Sequence, residues 1–582
     1  MRNLYTLKKY FIRYKKKLLL GFLFIVLSNA GTVYVPLLLK DAINEMQSGV
    51  NTGLLTQYAG MMVGTSLFAG FFRFLIRQTI IVVSREIEYD LRQDFWSHLQ
   101  KMPMRYFKNT STGNIMAHAT NDISAVRMFL GPAIMYSTDT LTRLLIVLTI
   151  MIMLNAELTI FSLLPLPILS YVVYNLGKKI HQKFTLIQEK FSELTTFVQE
   201  NFSGIRVIKS YVREESEKEK YAESSKDYLN KKMSLVRVQA MIMPLLFLIT
   251  GLSIIIVIWW GGIKVIEGEM NIGEVTAFIV FLGILIWPMI ALGWVINLVQ
   301  QSEASMKRLN KIFAEPYEIE DTELTNHTIK KLNGNIEFRN VSFRYDDIHP
   351  YVLKNINLNI PKGSALAIMG YTGTGKTSFI NLIQRLYDCT EGEVLLDGND
   401  VRTIPLSVLR TQIGMVQQEP FLFSDTIKNN ISYGLREIDD NIVQASARIA
   451  NFNKDVELFP QKYETIVGER GITFSGGQKQ RCSLARALAI DPKLLILDDS
   501  FSSVDTNTEE EILINLKEFM LGRTSIIISH RISTVKDADK IIVLSEGRIA
   551  EEGRHDELIS LGGIYADLHY KQLLEEELEE IK

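Results

Sequence analysis

The stretch "ALAIMGYTGTGKTSFINLI", residues 365–383, decides how the C-terminal part of this chain is read. An apolar run typical of a buried strand enters Gly370-Tyr371-Thr372-Gly373-Thr374-Gly375-Lys376-Thr377, and an apolar helical pattern follows at once. Strand, glycine-rich loop and helix in that order are the context in which this motif forms a phosphate-binding loop. The glycines let backbone N–H groups close around phosphate at a helix N-terminus. Lys376 adds positive charge at the β and γ phosphates, and Thr377 offers its hydroxyl to Mg²⁺. The residues expected to touch a nucleotide here are Gly370, Thr372, Gly373, Gly375, Lys376, Thr377 and Ser378.

Working outward, a second apolar run, "LLILDDSFSSVD" at 494–505, ends in two carboxylates and a Ser-rich turn. Asp498 closes the apolar run and is the expected Mg²⁺ partner, acting through a water. Asp499 stands where a general base for that water would be, yet it has the shorter of the two acidic side chains. Between these motifs lies "FSGGQKQRCSLARALA", whose helix opens on Ser475-Gly476-Gly477-Gln478, with bare backbone donors at the positive end of a helix dipole. Taken alone it is equally a plain helix start. Two phosphate sites in one small domain are redundant unless they serve two different nucleotides. The runs "NIEFRNVSF", "SALAIMG", "GEVLLDG", "IGMVQQ", "LLILDD", "SIIISH" and "KIIVLSEG" alternate with helical patterns. They predict an α/β nucleotide-binding domain with a largely parallel core sheet.

The N-terminal part has a different chemistry. Overall 47% of residues are hydrophobic and 22% charged, but nearly all the long apolar runs precede residue 301. Six of them, near 18–39, 56–83, 129–153, 158–177, 240–262 and 275–300, approach or exceed the ~20 residues that cross a bilayer. The first follows "MRNLYTLKKYFIRYKKK", which holds seven Lys or Arg and no acid, so the N-terminus is expected in the cytosol. Ser28-Asn29-Ala30 imitates a signal-peptidase site, but the apolar run continues to Leu39, which argues against a cleaved signal. Counting spans from that end places 84–128 and 178–239 in the cytosol, as long, charged helical extensions of the spans. The outer loops are short and poor in Lys and Arg. Residues 1–310 thus read as a membrane domain, 311–335 as a polar linker and 336–582 as the nucleotide-binding domain. Net charge is −2, which gives no reason to propose a nucleic-acid partner. Cys389 and Cys482 lack metal-ligand spacing and read as reduced packing residues.

With these motifs in hand, the sequence resembles the ATP-binding cassette exporters, specifically half-transporters with six spans ahead of one cassette. The resemblance covers almost the whole chain, and "SGGQ" between the P-loop and "LLILDD" is its most specific mark. It implies ATP and Mg²⁺ as ligands and a dimer in which the P-loop of one subunit and the SGGQ of the other enclose one ATP. It further implies that Tyr345 of "VSFRYDD" stacks on adenine, and that Gln418 of "VQQEP" reaches Mg²⁺ and the attacking water, with Gln417 the neighbouring alternative. On the same basis His530 of "IIISHRIST" contacts the γ-phosphate, and Asp505 of "SSVD" signals across the dimer. The stretches 106–126 and 200–215 would carry coupling helices, and "VGERG" at 467–471 would touch such loops from the cassette side.

The residue after the Mg²⁺ aspartate is normally a glutamate in that family, and here it is Asp499. That departure resembles the degenerate-site chain of heterodimeric exporters, whose partner supplies the catalytic glutamate. The retained His530 keeps open a homodimer with two slow sites. The expected activity is ATP-driven export of a hydrophobic or amphipathic compound (a drug, lipid or peptide) across the cytoplasmic membrane by alternating access, in contact with membrane lipid. An ATP-gated channel or regulatory subunit is the rival. An importer is disfavoured by the fused spans, and leader-peptide processing by the lack of a peptidase domain before them. Asp139 and Arg143, four residues apart in the third span, read first as a mutual ion pair and second as cavity-lining residues. Met241, Met243, Phe281, Trp287 and Trp294 form either an adaptable apolar site or helix packing, and Pro288 is a candidate kink.

Overall fold

The protein is described by a computed structural model covering residues 2–49, 52–468, 471 and 473–580. The chain divides into two compact units, residues 1–97 with 113–314, and residues 98–112 with 315–582.

Among its described residues the first unit has no strand, and its long helices are α1 (Lys8–Ser48), α2 (Thr52–Leu99), α3 (Thr112–Leu154), α4 (Pro165–Ser203), α5 (Glu214–Ile266) and α6 (Ile272–Phe313). Among the described residues α1, α2, α3 and α5 are long and apolar enough to cross a membrane, and α6 adds the apolar run Ile272–Ile286. The 48 residues of α2 reach about 72 Å at ~1.5 Å per residue, against a hydrocarbon core of ~30 Å. The helix therefore runs well beyond the length that a bilayer needs, as the helix-forming flanks predict. The segment 158–177 is not one helix. It breaks between Ala156–Leu163 and α4, because Pro165 lacks an N–H and takes the first position of a new helix.

The basic residues near the N-terminus have a structural role. Lys9, Arg13 and Lys17, one turn apart on α1, pair with Asp94, Asp90 and Glu86 on α2 at 2.6, 2.9 and 2.6 Å. Away from that ladder, Phe278, Phe281, Val147, Val257 and Val33 form a buried apolar cluster joining α1, α3, α5 and α6. Phe281 is thus core, whereas Met241 and Met243 are exposed and Trp294 meets Tyr136 edge-on at 5.4 Å. The side chains of Trp287 and Pro288 lie outside the described residues.

In the second unit no strand or helix intervenes between residues 315 and 335. Among the described residues ten strands follow: β1 (Ile336–Phe343), β2 (Leu353–Ile360), β3 (Ala365–Met369), β4 (Glu391–Leu396), β5 (Asn399–Asp400), β6 (Ile413–Val416), β7 (Leu494–Asp498), β8 (Thr524–Ile528), β9 (Lys540–Ser545) and β10 (Arg548–Gly553). One sheet has the order β2-β1-β4-β5 and is antiparallel. The other has the order β10-β9-β3-β8-β7-β6 and is parallel except for the edge pair β9–β10. Helix α7 (Lys376–Ile383) buries Phe379, Ile380, Leu382 and Ile383, with Phe379 stacked on Phe338 of β1 at 4.2 Å. That wedge fixes the loop ahead of it. Cys482 is fully buried, and burial pushes its thiol up to about 12.

Candidate nucleotide site

In an open parallel sheet, ligands bind beyond the carboxyl ends of the strands. Four neighbouring strands of this sheet each deliver a candidate residue there. β3 ends at Met369 and leads into the glycine loop, β8 ends at Ile528 before His530, β7 ends at Asp498, and β6 ends at Val416 before Gln418. A cavity of about 350 Å³ collects Tyr345, Thr372, Lys376, Asp498, Asp499 and His530. Gly373, Gly375, Thr377, Ser378 and Gln418 also line it; Gln417 does not.

The loop needs its glycines for backbone reasons. Gly375 caps α7 at φ 100°, and a Cβ on Gly370, at φ 140°, would stand 2.3 Å from the Leu544 carbonyl oxygen. Lys376 is buried, and its ammonium donates to the carbonyls of Gly370 and Tyr371 at 2.8 and 2.9 Å. Burial holds its pKa below the ordinary lysine value, against the pull of Asp498 and Asp499. Asp498 is buried and accepts from the Thr377 hydroxyl at 3.0 Å. Burial raises its carboxyl above the usual range despite that hydrogen bond, and Asp499 adds to the effect. A hydroxyl, a buried carboxylate and the Gln418 amide oxygen are hard oxygen donors around one cavity, which suits Mg²⁺ held jointly with phosphate oxygens. The bound ion would supply charge neutralisation at the phosphates.

Asp499 is only half-buried, and its backbone is left-handed at φ 45°, a region aspartate enters more readily than most residues. Its amide donates to the Ile528 carbonyl at 2.8 Å, and its carboxylate accepts from Gln418 Nε2 at 3.4 Å. Tyr345 bonds Ser378 Oγ at 2.8 Å and packs edge-on to Tyr387 at 5.2 Å. Sequence reasoning missed its other neighbour. Lys108, on the short helix Met104–Asn109, places its ammonium 4.0 Å from the Tyr345 ring centroid, and Arg105 of that helix lies 3.5 Å from Glu318. Val352 and Ile528 also line the cavity without a prior signal.

The remaining candidates do not join this cavity. Ser475 caps α8 (Gly476–Ala489) in a reciprocal box, accepting from the Gln478 amide at 3.2 Å while Gln478 Oε1 accepts from the Ser475 amide at 3.0 Å. Asp505 caps α9 (Thr506–Met520), accepting from the Thr508 amide at 3.0 Å, which holds its carboxyl below the usual range. Gln480 of α8 bridges the two segments, donating to Ser502 Oγ and accepting from the Ser503 amide, both at 3.0 Å. Glu469 and Arg470 of the "VGERG" stretch lie outside the described residues.

His530 carries a pH prediction. Burial first, and the charge of Lys376 second, hold its pKa below 6.5, with Asp499 opposing. It is therefore neutral at pH 7 and gains a proton only as pH falls through that lowered value. A histidine-resolved NMR titration of the nucleotide-free protein should place it below 6.5, and Lys376→Ala should raise it.

Membrane-length helices joined to a P-loop cassette define an ATP-driven membrane transporter. Residues 18–289 match the family model of the ABC transporter transmembrane region, and residues 353–502 match that of the ABC transporter. The chain is 36% identical over 570 residues to the probable multidrug resistance ABC transporter ATP-binding/permease protein YheI of Bacillus subtilis (strain 168), covering 97% of this chain and 96% of that one. It is 33% identical over 556 residues to the ATP-dependent lipid A-core flippase of Syntrophus aciditrophicus (strain SB), covering 95% and 92%. A solved bacterial Atm1-family ABC exporter with ATP bound superposes with a TM-score of 0.79 at 26% identity, covering 96% of this chain and 98% of that one. The chain belongs to the ABC transporters. It is an exporter-type, multi-pass membrane protein with an ATP-binding domain that couples ATP hydrolysis to transport.

Proposed function

We propose that this chain is one half of a heterodimeric exporter of hydrophobic or amphipathic compounds, and that its own ATP site hydrolyses slowly. Asp499, in the place of the family's glutamate, carries this reading. The intact SGGQ segment lies apart from the chain's own cavity, which supports its use on a second subunit's nucleotide. Phe202, Ile205, Val207, Tyr211 and Val212, in and beside the short helix Ile205–Ser210, are exposed, an apolar surface suited to another chain. Relatives named for multidrug resistance and for lipid A-core flipping support an amphipathic cargo. ATP binding then closes the cassette pair, the long helices carry the movement, and hydrolysis resets it. Lys108 against Tyr345 gives the first cytosolic loop a direct contact with the proposed adenine end of the cavity.

A homodimer with two slow sites is the second reading, favoured by His530 in the cavity. The test is ATP turnover and flux by the purified complex in lipid vesicles. Flux against a gradient that requires ATP is expected. Downhill leak alone would overturn export in favour of a channel, and full turnover by this chain as its sole subunit would overturn the heterodimer.

A further inference from the structure

The cavity between α1, α2 and α3 carries more positive charge than its own residues neutralise. It measures about 210 Å³, and its lining includes Arg73, Ile76, Arg77, Tyr136, Asp139 and Arg143. Both readings of Asp139 and Arg143 hold there, because the two are paired and also line the space. Arg143 is 9% exposed, and its Nη2 donates to Asp139 Oδ2 at 2.9 Å while its Nε donates to Asn29 Oδ1 at 3.2 Å. The Asn29 amide donates in turn to the Asp139 carbonyl at 3.2 Å. Asp139 is therefore committed to Arg143, and its charge is cancelled.

Arg73 and Arg77 stand one turn apart on α2, and among the described residues neither has a carboxylate partner. Within the apolar run near 56–83 the two arginines precede its end by ten and six residues, about 15 and 9 Å at ~1.5 Å per residue, inside the half of the span next to the expected cytosolic end, where unpaired cations are costly and seek an anion. Arg77 also opens a π-helical turn, Arg77–Ile81, a local widening that often marks functional positions. Guanidinium groups match phosphate and carboxylate oxygens in two-point contacts. Ile25, Ile76 and Met135 make the rest of the wall apolar. The volume falls below the ~300–1,000 Å³ of pockets that enclose whole drug-sized molecules, and suits a head group whose tail stays outside.

We propose that this cavity is a head-group subsite for an anionic amphiphile, a phosphate or carboxylate head on an apolar tail, taken from the cytosolic leaflet. The proposal deepens the export reading and rests on it. A hydrophobic cation would face three arginines against one aspartate.

The test is equilibrium binding, without ATP, to the full-length protein and any protomer that purifies with it, in phosphatidylcholine nanodiscs. Dodecyl phosphate should bind saturably and at least about tenfold more tightly than dodecyltrimethylammonium, as expected for charge-assisted hydrogen bonds. Arg73→Gln with Arg77→Gln should remove that preference, and Arg73→Lys with Arg77→Lys should keep most of it. Displacement by phosphatidylglycerol added to the disc would support the subsite and identify leaflet lipid as an occupant. Displacement by inorganic phosphate would overturn the amphiphile assignment. Equal affinity for the two dodecyl probes in the unmodified chain would overturn the proposal without recourse to any variant, and would leave ATP-dependent flux as a separate question.

Discussion

Gly477→Asp in this chain is expected to lower ATP turnover of the assembled transporter by at least ~10²-fold, the cost typical of displacing a catalytic constellation by about 1 Å. Space is the first constraint. A Cβ on Gly477 would lie 2.9 Å from the Ser503 carbonyl oxygen, so even alanine must push the start of α8 away from the segment that follows Asp498 and Asp499. That segment cannot yield freely, because Gln480 ties it to α8 through Ser502 and Ser503. Aspartate adds a negative charge at a helix N-terminus proposed to receive phosphate. The chain's own cavity does not include Gly477, so nucleotide binding there should persist in the same variant. A variant that keeps normal turnover would remove the case for a site shared between subunits. Loss of binding and turnover together would place the defect in folding.

The main architecture was legible because its principal elements announce themselves by strong local rules. The P-loop required glycines at positive φ, and Gly370, Gly373 and Gly375 supply them. The membrane helices required length and apolarity. Three strands lay outside the runs read from the sequence; β5 is only the two residues Asn399–Asp400, and the other two have identifiable reasons. In β2, "LKNINLNI", alternate residues are buried, but the asparagines and lysine between them hide a period-two pattern of low β propensity. In β10, "RIAEEG", no residue is fully buried, and its strand character comes from pairing along β9. The candidates at strand ends, Lys376, Asp498, Asp499, Gln418 and His530, line one cavity, and each follows an apolar run that shows in the sequence. The site was not legible where tertiary packing brings residues together. Nothing local marks Lys108 as a neighbour of Tyr345 some two hundred positions onward. The charge surplus of the membrane cavity was similarly hidden, since Asp139 and Arg143 balance each other and only the fold adds Arg73 and Arg77 beside them.

Asp499→Glu is expected to raise hydrolysis at this chain's own site by roughly 10- to 100-fold over its residual rate, the scale set by moving a reactive group by about an ångström. Basicity does not explain the difference, since aspartate and glutamate titrate near ~3.9 and ~4.3. Reach does: one methylene extends the carboxylate by about 1.5 Å. The backbone of residue 499 is held in place by the hydrogen bond its N–H donates to the Ile528 carbonyl oxygen at 2.8 Å, so the added length extends the side chain and is not absorbed by the backbone. Gln418, 3.4 Å from the present carboxylate, should also be met at shorter range. The measurement is turnover in the proposed heterodimer with the partner's glutamate changed to glutamine, so that only this site hydrolyses. In that background the unmodified chain should be nearly inactive and Asp499→Glu should restore activity. With an intact partner, Asp499→Ala should reduce turnover only mildly. Collapse of activity with Asp499→Ala would instead make Asp499 the working base, and failure of Asp499→Glu to gain activity would mean that carboxylate reach is not what limits the site.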